Sequence, residues 1–409
     1  MANIGYIQVV RHCNHFCTFC SNPATPYVHT YETMTPLVDD FVERGYFGVI
    51  LTGGEPSLHP ELPRIAAYAR DHGLHVRMIT NGWRLAVDDF AKEMAEAGLQ
   101  HVHVSVYSHR PAIEAELRGI PNTLERAYRA IENANKYGIE VNINCVISKQ
   151  NADHLDENIA YWIEKHPYIR HFIWNNMDPS MGRAEANQDD YTPRLADFEV
   201  SLRRAMTLLY ESGRTFRVEK VPLCYMTDFA WASTETRKIV KGEERIVHFL
   251  DNKQTVRQTD WGHIYSDACG VCSLRQICGG LFDQGDGYDP AELYPVFVSQ
   301  DQIVEKIIQD PMDPSYALRS LVEWREDFDR RIEEQIASSS DRSPGQHPAK
   351  KLDSELAIGF VTEESKKKWE SKRRAEGRMA ARLGVEQEDT SLSETQESES
   401  GSAAVLSQG

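Results

Sequence analysis

The sequence has little positive charge and no long hydrophobic run. Its 409 residues carry 45 Lys and Arg against 62 Asp and Glu, a formal net charge of −17. This acidic balance argues against a general nucleic-acid or anionic-membrane binder, because such proteins need a cationic footprint. No window approaches the roughly 18 consecutive apolar residues of a membrane span. We therefore expect neither a nucleic-acid nor a membrane partner.

The first residues also lack the marks of an export signal. Residues 1–10 have a strand pattern, without a basic start or a long apolar segment. We therefore expect a cytoplasmic protein, in which cysteines serve metal binding or catalysis rather than disulfides.

Cysteine is scarce, but it is clustered. Six of the eight cysteines fall in two short segments, Cys13–Cys20 and Cys269–Cys278, about 250 residues apart. Short loops return thiolates to one centre at little entropic cost, so this clustering favours metal capture. The first segment offers three thiols, and His12 or His15 would complete a four-ligand zinc site. A zinc site at the first segment therefore remains an alternative.

Strand and helix patterns alternate along the first half of the chain. Six strand patterns begin near residues 5, 47, 75, 101, 141 and 169. A spacing of about 25–35 residues is typical of βα units with a parallel sheet. Because eight units complete a full barrel, six predict a partial, open (β/α)6 TIM-like barrel. The first cysteine segment, residues 53–56, 80–82, 105–107 and 175–176 all follow strands, at the end of a parallel sheet where function gathers.

Composition divides the chain into three predicted regions. Residues 1–215 form the barrel, and residues 216–335 form a loop-rich region with a C-terminal helix from about residue 301. Residues 336–409 comprise a linker, a charged helix at 362–384 and a tail. The tail, 385–409, has six acidic residues, six serines and no Lys or Arg, and we expect it to be disordered.

The first cysteine segment resembles the signature of the radical S-adenosylmethionine (SAM) superfamily. Cys13, Cys17 and Cys20 have the spacing CxxxCxxC, with Phe19 before the last cysteine, and the second strand ends in a GGEP motif at 53–56. The resemblance covers roughly residues 5–300. It implies a [4Fe–4S] cluster held by three cysteines, with one iron left to chelate SAM. Cleavage of SAM then gives a 5′-deoxyadenosyl radical that abstracts substrate hydrogen.

The resemblance also implies which residues contact SAM. Gly53 and Gly54 let the backbone approach the methionine moiety, and Glu55 accepts a hydrogen bond from its ammonium group. Arg118 pairs with the SAM carboxylate. The implied cofactor-binding set is Gly53, Gly54, Glu55, Pro56, Thr80, Asn81, Ser105, Arg118 and Asn144, with Tyr107 near the ribose or methionine and Asn151 near the adenosine.

The second cysteine segment resembles the SPASM or twitch extensions of the same superfamily. Cys269, Cys272 and Cys278 match the core of that pattern, whereas Phe282 stands where a further cysteine is expected. The resemblance therefore implies at most one auxiliary [4Fe–4S] cluster, with Cys224 as its fourth ligand and an electron-accepting role. A zinc site with four cysteine ligands stays open here.

We predict an enzyme that abstracts hydrogen from a polar small molecule in a biosynthetic pathway, with a flavodoxin- or ferredoxin-type reductant. One alternative is a maturase of a ribosomally made precursor peptide, and another is a non-catalytic iron–sulfur or zinc module. Candidates for substrate contact are Asn175, Asn176, Asp178, Arg183, Glu219 and the segment Thr234–Lys238. Packing or backbone hydrogen bonding is expected for His101, His103 and His109, and Cys145 is expected to be buried and inert.

Overall fold

The computed structural model describes residues 4–22, 25, 27–250, 255–282, 287–310, 320–339 and 350–351. They belong to one unit, Met1–Val361, and a second unit, Thr362–Gly409, lies outside the described residues. The charged helix expected at 362–384 and the tail at 385–409 therefore lie outside them as well. Residues 336–339, predicted as the start of a linker, lie in the helix Leu321–Ser339.

One ten-stranded sheet carries the structure. Its strands are β1 Ile4–Val10, β2 Gly48–Gly53, β3 His75–Thr80, β4 Leu99–Ser105, β5 Glu140–Ile147, β6 His171–Asn176, β7 Thr215–Glu219, β8 Arg245–His248, β9 Thr255–Gln258 and β10 Lys350–Lys351. The order is β10-β9-β8-β1-β2-β3-β4-β5-β6-β7. Strands β8 and β1 to β7 pair in parallel, and β9 and β10 add antiparallel partners. The parallel, barrel-like α/β fold predicted from the strand spacing is thus confirmed.

Twelve helices are seen in the described part of the chain. They are α1 Tyr31–Glu43, α2 Leu62–Asp71, α3 Asp88–Glu96, α4 Pro111–Arg118, α5 Thr123–Lys136, α6 Leu155–Lys165, α7 Gly182–Ala186, α8 Gln188–Tyr191, α9 Leu195–Glu211, α10 Thr234–Lys241, α11 Gln300–Ile308 and α12 Leu321–Ser339. Local sequence explains their ends. Thr30 and Thr33 form a capping box at the start of α1, and α4 runs from Pro111 to a left-handed Gly119. None of the helices in this part combines the length and apolar character needed to cross a bilayer.

Alternation along the strands separates a hydrophobic layer from the barrel lumen. On β4, Val104 lies beside Gly82 and the Ala130 side chain of α5, so this face packs under the helices. His101 and His103 lie on the opposite face, which lines the lumen, and their rings stack at 4.8 Å. The two histidines therefore share one strand face.

Several elements have no clear signal in the sequence. Helix α10 buries Glu235, Thr236, Arg237 and Lys241 together with Val240, so its inner face is largely polar and gives only a weak apolar helical period. Among the described residues no ladder joins β7 to β8, and Ser233, just before α10, bridges to Val218 of β7 instead. The sheet therefore continues past residue 215, where a domain boundary was predicted, and that boundary stays a prediction.

Candidate functional site

The loop with the first three cysteines follows β1 and is attached to the end of α4. The Phe16 amide donates to the carbonyl of Arg118 at 3.0 Å, and the Thr18 amide donates to Leu117 at 3.1 Å. Gly119 makes this approach possible, because a Cβ there would lie 2.6 Å from the Phe16 carbonyl oxygen. The loop is thereby fixed at the carboxyl end of the barrel.

A second attachment comes from α7. Arg183 Nε donates to the carbonyl of Cys17 at 2.9 Å, and Asn187 Nδ2 donates to that of Thr18 at 3.0 Å. The Ala184 amide donates to Cys20 at 3.2 Å. Arg183, a predicted substrate contact, thus supports the cysteine loop in the structure. Asn187 was not predicted, since no local motif marks a side chain that meets a loop more than 160 residues away.

The three thiols of this loop influence one another. All are free cysteines, and burial raises the pKa of Cys17 to about 12, opposed by Arg118 and raised further by Cys20 and Cys13. A bound metal centre would reverse this balance, because coordination to a cation favours the thiolate. The donor set of three soft sulfur ligands fits an iron–sulfur cluster with one iron left open.

Asn81 lies directly at the cysteine loop. Its Nδ2 is 3.7 Å from Cys13 Sγ and donates to Asn14 Oδ1 at 2.8 Å. The His15 amide also donates to Cys13 Sγ, at 3.4 Å. The structure therefore brings Asn81, a predicted SAM contact, to the first thiol.

The two glycines of the GGEP motif fit against the start of the cysteine loop. A Cβ on Gly53 would lie 2.1 Å from the Val10 carbonyl oxygen, and one on Gly54 would lie 2.1 Å from that of His12. The Gly54 amide donates to Val10 at 2.7 Å. The two glycines thus allow a close approach to the backbone at the start of the cysteine loop. Contact of these glycines with methionine stays a prediction.

Glu55 is buried and links the ends of two strands through hydrogen bonds. Its Oε1 accepts hydrogen bonds from the Ser57 amide at 3.1 Å and from Thr80 Oγ1 at 2.7 Å, and Oε2 accepts from the Asn81 amide at 2.7 Å. Burial raises its pKa, and these hydrogen bonds oppose the rise. Glu55 and Thr80 therefore join the ends of β2 and β3, and the ammonium contact implied for Glu55 stays a prediction. Pro56 begins the short 3-10 helix Pro56–Leu58 that follows.

Arg118 is fully buried and paired within the protein. Its Nε lies 2.6 Å from Glu114 Oε1, and its Nη1 lies 3.1 Å from His15 Nδ1. Its Nη2 donates to the Ser105 carbonyl. Its charge is already compensated within the protein, and the implied pairing with a SAM carboxylate stays a prediction. Glu114 was missed, although its i, i+4 spacing from Arg118 was a readable signal.

The two residues implied to line the adenosine, Asn144 and Asn151, have different surroundings. Asn144 lies on the lumen face of β5, where its Oδ1 accepts from Asn175 Nδ2 at 2.8 Å. Asn151 is fully buried and donates to the carbonyls of Tyr107 and Val146. It therefore fixes the loop after β5, and its implied place near the adenosine stays a prediction. The Tyr107 ring packs edge-on against Phe19 at 4.6 Å.

The C-terminal cysteines also come together. Cys278 and Cys269 both raise the pKa of Cys224, which burial has already raised to about 12, and Cys272 acts in the same way on Cys278. Backbone amides point at the sulfurs: Gly280 donates to Cys278 at 3.3 Å, and Val296 donates to Cys272 at 3.5 Å. Such donors stabilise thiolates around a metal centre. Cys224 therefore lies close enough to the other cysteines to feel their charge, and its predicted role as fourth ligand, which rests on cysteine count and the family resemblance, stays a prediction.

The charged residues predicted to contact substrate are mostly paired with other charged residues of the protein. Asp178 bonds Lys220 Nζ at 2.8 Å, Glu219 bonds Arg245 at 2.9 Å and Arg237 bonds Asp310 at 2.9 Å. Asn176 points away from the lumen and accepts from the Tyr288 hydroxyl at 2.9 Å. Asn175 does face the lumen, because alternate residues of a strand face opposite sides.

In the ranges that the structure describes, no group of three or more His, Cys, Asp or Glu side chains is arranged to hold a metal ion. The ligand roles of Cys13, Cys17, Cys20, Cys224, Cys269, Cys272 and Cys278 therefore stay predictions, supported by donor chemistry and proximity.

Comparison with known proteins identifies relatives of the first half of the chain. Residues 7–161 match the family model described as the Radical SAM superfamily. An Fe-coproporphyrin III synthase of Methanosarcina barkeri is 33% identical over 149 residues, 36% of this chain and 37% of the relative. A PqqA peptide cyclase of Xanthomonas campestris is 31% identical over 164 residues, 39% of this chain and 43% of the relative. The chain thus covers about two fifths of each relative.

A solved structure extends the likeness of fold over most of the chain. Native anSMEcpe with bound AdoMet and Kp18Cys peptide has a TM-score of 0.54 at 15% identity, over 83% of this chain and 99% of that one. At this identity the likeness concerns the fold, which includes the C-terminal region with the second cysteine segment.

Proposed function

We propose that this chain, whose residues 7–161 form a radical SAM domain, cleaves SAM reductively and directs the resulting radical to a polar small-molecule substrate. The observation that carries the proposal is the convergence of Cys13, Cys17 and Cys20 at the barrel mouth, with Asn81 on the Cys13 sulfur. When bound, a [4Fe–4S] cluster supplies the electron that cleaves the sulfonium, giving a 5′-deoxyadenosyl radical that abstracts substrate hydrogen.

The protein's own part is to hold and shield the loop. Arg118 and Arg183 fix the loop from two sides, and their charges favour the thiolate form of Cys17. Phe19 and Tyr107 pack behind the cysteines and keep the loop dry on that side. A radical reaction needs such enclosure, because water access invites side reactions. Ser105 and Asn144 face the lumen and, with Gly53, Gly54 and Asn81, are proposed cofactor contacts.

The C-terminal cysteines are proposed to hold an auxiliary [4Fe–4S] cluster. Four thiols, Cys224, Cys269, Cys272 and Cys278, would saturate the cluster and leave no iron for substrate. Such a centre suits acceptance of the electron that remains after hydrogen abstraction. A flavodoxin- or ferredoxin-type protein is the proposed reductant for the first cluster.

The proposal is tested by anaerobic reconstitution of the full chain, followed by dithionite and SAM. We expect about eight irons per chain, for two clusters, and formation of 5′-deoxyadenosine. Cys17→Ala should abolish 5′-deoxyadenosine, whereas the matched variant Cys145→Ala, at a buried cysteine outside both groups, should retain it. Zinc in place of iron, or no 5′-deoxyadenosine from the wild type, would leave only the non-catalytic module.

A maturase of a ribosomally made peptide is the second candidate. The observation that favours it is the 31% identity with a PqqA peptide cyclase, set against a similar identity with an Fe-coproporphyrin III synthase. Deuterated small molecules and deuterated precursor peptides separate the two candidates. Deuterium should be transferred to 5′-deoxyadenosine only from the class of molecule that is the true substrate.

A further inference from the structure

The barrel lumen contains a cationic side chain that the described protein does not neutralise. We propose that Arg77 anchors a carboxylate of a small-molecule substrate inside the barrel, so that the substrate is an acid. This inference rests on the proposed function and adds the substrate's chemical class to it.

Arg77 faces the lumen from the middle of β3. Its neighbours Val76 and Met78 are fully buried in the layer under the helices, so Arg77 points to the opposite side. In the parallel ladder it pairs with His101 of β4, another lumen residue. Arg77 as a whole is half-buried on this face.

Within the described ranges Arg77 makes neither an ion pair nor a hydrogen bond, and its buried Nε has no acceptor. Its surroundings lower its pKa mainly through burial, and the carboxylate that opposes this most is Glu140. Glu140 is at the start of β5 with 62% of its side chain exposed. Arginine nevertheless stays charged in proteins, and an enclosed charge without a partner is costly. An anion supplied from outside the protein would remove that cost.

The other arginines of the lumen wall differ from Arg77 in this respect. Arg217 and Arg237 share Asp310, at 3.5 and 2.9 Å, and Arg245 pairs with Glu219 at 2.9 Å. The chain has therefore provided each of them with an acid. Arg77 is the lumen arginine left for a ligand within the part of the chain that is described.

The walls around Arg77 are polar and uncharged. Burial lowers the pKa of His101 to about 4 and that of His103 well below its usual range, so both imidazoles are neutral. Both ring nitrogens of His103 are buried without hydrogen-bond partners among described residues. The charged and titratable groups that face this part of the lumen are Tyr6, Arg77, His101, His103, Glu140, His171, Arg217 and Arg237.

The position of Arg77 sets the shape of the substrate. Asn81, which contacts Cys13, lies four residues further along the same stretch, and a strand rises about 3.3 Å per residue. The anchor is therefore about 13 Å from the cysteine loop. A substrate held by Arg77 would present its reacting carbon roughly 10 Å from its carboxylate, towards the SAM end of the barrel.

Bromide is the probe for this site. Crystals of the full chain are soaked in sodium bromide and the anomalous signal is measured, then the soak is repeated with excess acetate. We expect a bromide peak against the Arg77 guanidinium that acetate displaces. Arg77→Met and Arg77→Gln should lose the peak. Arg129→Gln, which removes an exposed arginine of α5 paired with Glu125, should keep it.

Three results would overturn the proposal. They are no bromide at Arg77 in the wild type, bromide that persists in both Arg77 variants, and bromide that acetate does not displace, which would be an adventitious ion only. A thermal scan adds a measurement of Tm, which would change if Arg77 had a structural role. Removing an uncompensated enclosed charge should leave the Tm unchanged or raised, so a clear fall in Tm for both Arg77 variants would also overturn the proposal.

The outcome is separable from the proposed function. If the wild type forms no 5′-deoxyadenosine but binds bromide at Arg77, the proposed function fails and the anion site stands. If it forms 5′-deoxyadenosine and binds no bromide there, only the anion site fails.

Discussion

The two cysteine regions of this molecule are held in different ways. The loop of Cys13, Cys17 and Cys20 is fixed largely through its backbone carbonyls and amides, by α4 and by side chains of α7. The C-terminal thiols instead receive amide donors from backbone close to them, such as Gly280 on Cys278. The first region therefore depends on single residues far away in the sequence, whereas the second combines its own turns with nearer backbone such as Val296, whose amide donates to Cys272.

The largest expected difference between the regions is chemical. Cys17→Ala should reduce 5′-deoxyadenosine formation to background, because three thiolates are needed to hold the SAM-binding cluster. Cys224→Ala should keep 5′-deoxyadenosine formation but lose substrate oxidation. Each variant should fall from about eight irons per chain to about four. Iron analysis and chromatography of 5′-deoxyadenosine measure both effects.

Cys145→Ala is the control for both cysteine variants, since Cys145 is buried and belongs to neither group. The proposed chemical difference between the two regions is contradicted if Cys224→Ala abolishes SAM cleavage as completely as Cys17→Ala does. It is also contradicted if Cys224→Ala retains all eight irons.

The next effect tests the distant support of the first region. Arg118→Met should lower the free energy of unfolding by about 3–5 kcal/mol, because it leaves Glu114 as an unpaired buried carboxylate. The fully buried pair joins the end of β4 to the cysteine loop. Arg129→Met, which breaks an exposed pair of the same i, i+4 spacing, should cost about 0.5 kcal/mol or less. Urea unfolding measures both variants, and equal losses would contradict the argument.

The sequence predicts the barrel and its cysteine loop well, because both have local signals. Strand and helix periods repeat regularly, and the CxxxCxxC spacing and GGEP motif stand next to strand ends. The grouping of Cys224 with Cys269, Cys272 and Cys278 as one ligand set stays a prediction, since it rests on cysteine count and the family resemblance. The sequence does not reveal α10, whose buried side is largely polar and so gives only a weak apolar helical period.

Roles within the site are harder to predict than positions. Glu55, Arg118 and Asn151 all lie close to where the family resemblance put them, yet each is already satisfied by protein partners. A sequence motif shows which residue type is needed, but it does not show whether the ligand or the fold uses that residue's hydrogen bonds. That depends on contacts such as those of Glu114 and Asn187, which come from other parts of the chain.

The pH dependence of folding stability gives a further test in the second cysteine region. Glu235 on α10 packs against Gly279, next to Cys278. Burial, with the charge of Glu219, raises the pKa of Glu235 from 4.5 to about 7. The protonated form therefore favours the folded state, and this stability is present below pH 4.5 and is lost as the pH rises through 7.

Glu235→Gln removes that dependence. The variant should match the wild type near pH 4.5 and become more stable than it above pH 7, by up to about 3 kcal/mol. Unfolding at pH 5 and pH 8 measures the difference, and Glu125→Gln on the exposed face of α5 is the control. A gap that shrinks as the pH rises would show that the sign is wrong.

The smallest expected effect isolates one contact of the first region. Gly182 and Gly213 have nearly the same backbone angle, φ +68 and +66, so alanine costs about 1–2 kcal/mol of strain at either position. At Gly213 the new Cβ meets nothing within 4 Å, whereas at Gly182 it would lie 2.7 Å from the Cys20 carbonyl oxygen. Gly182→Ala should therefore cost a further 1–3 kcal/mol, roughly the penalty of overpacking. Because the clash falls on the loop of Cys20, Gly182→Ala should also lower iron retention at the first cluster and spare the second, and equal iron loss from both would show that the regions do not have independent supports.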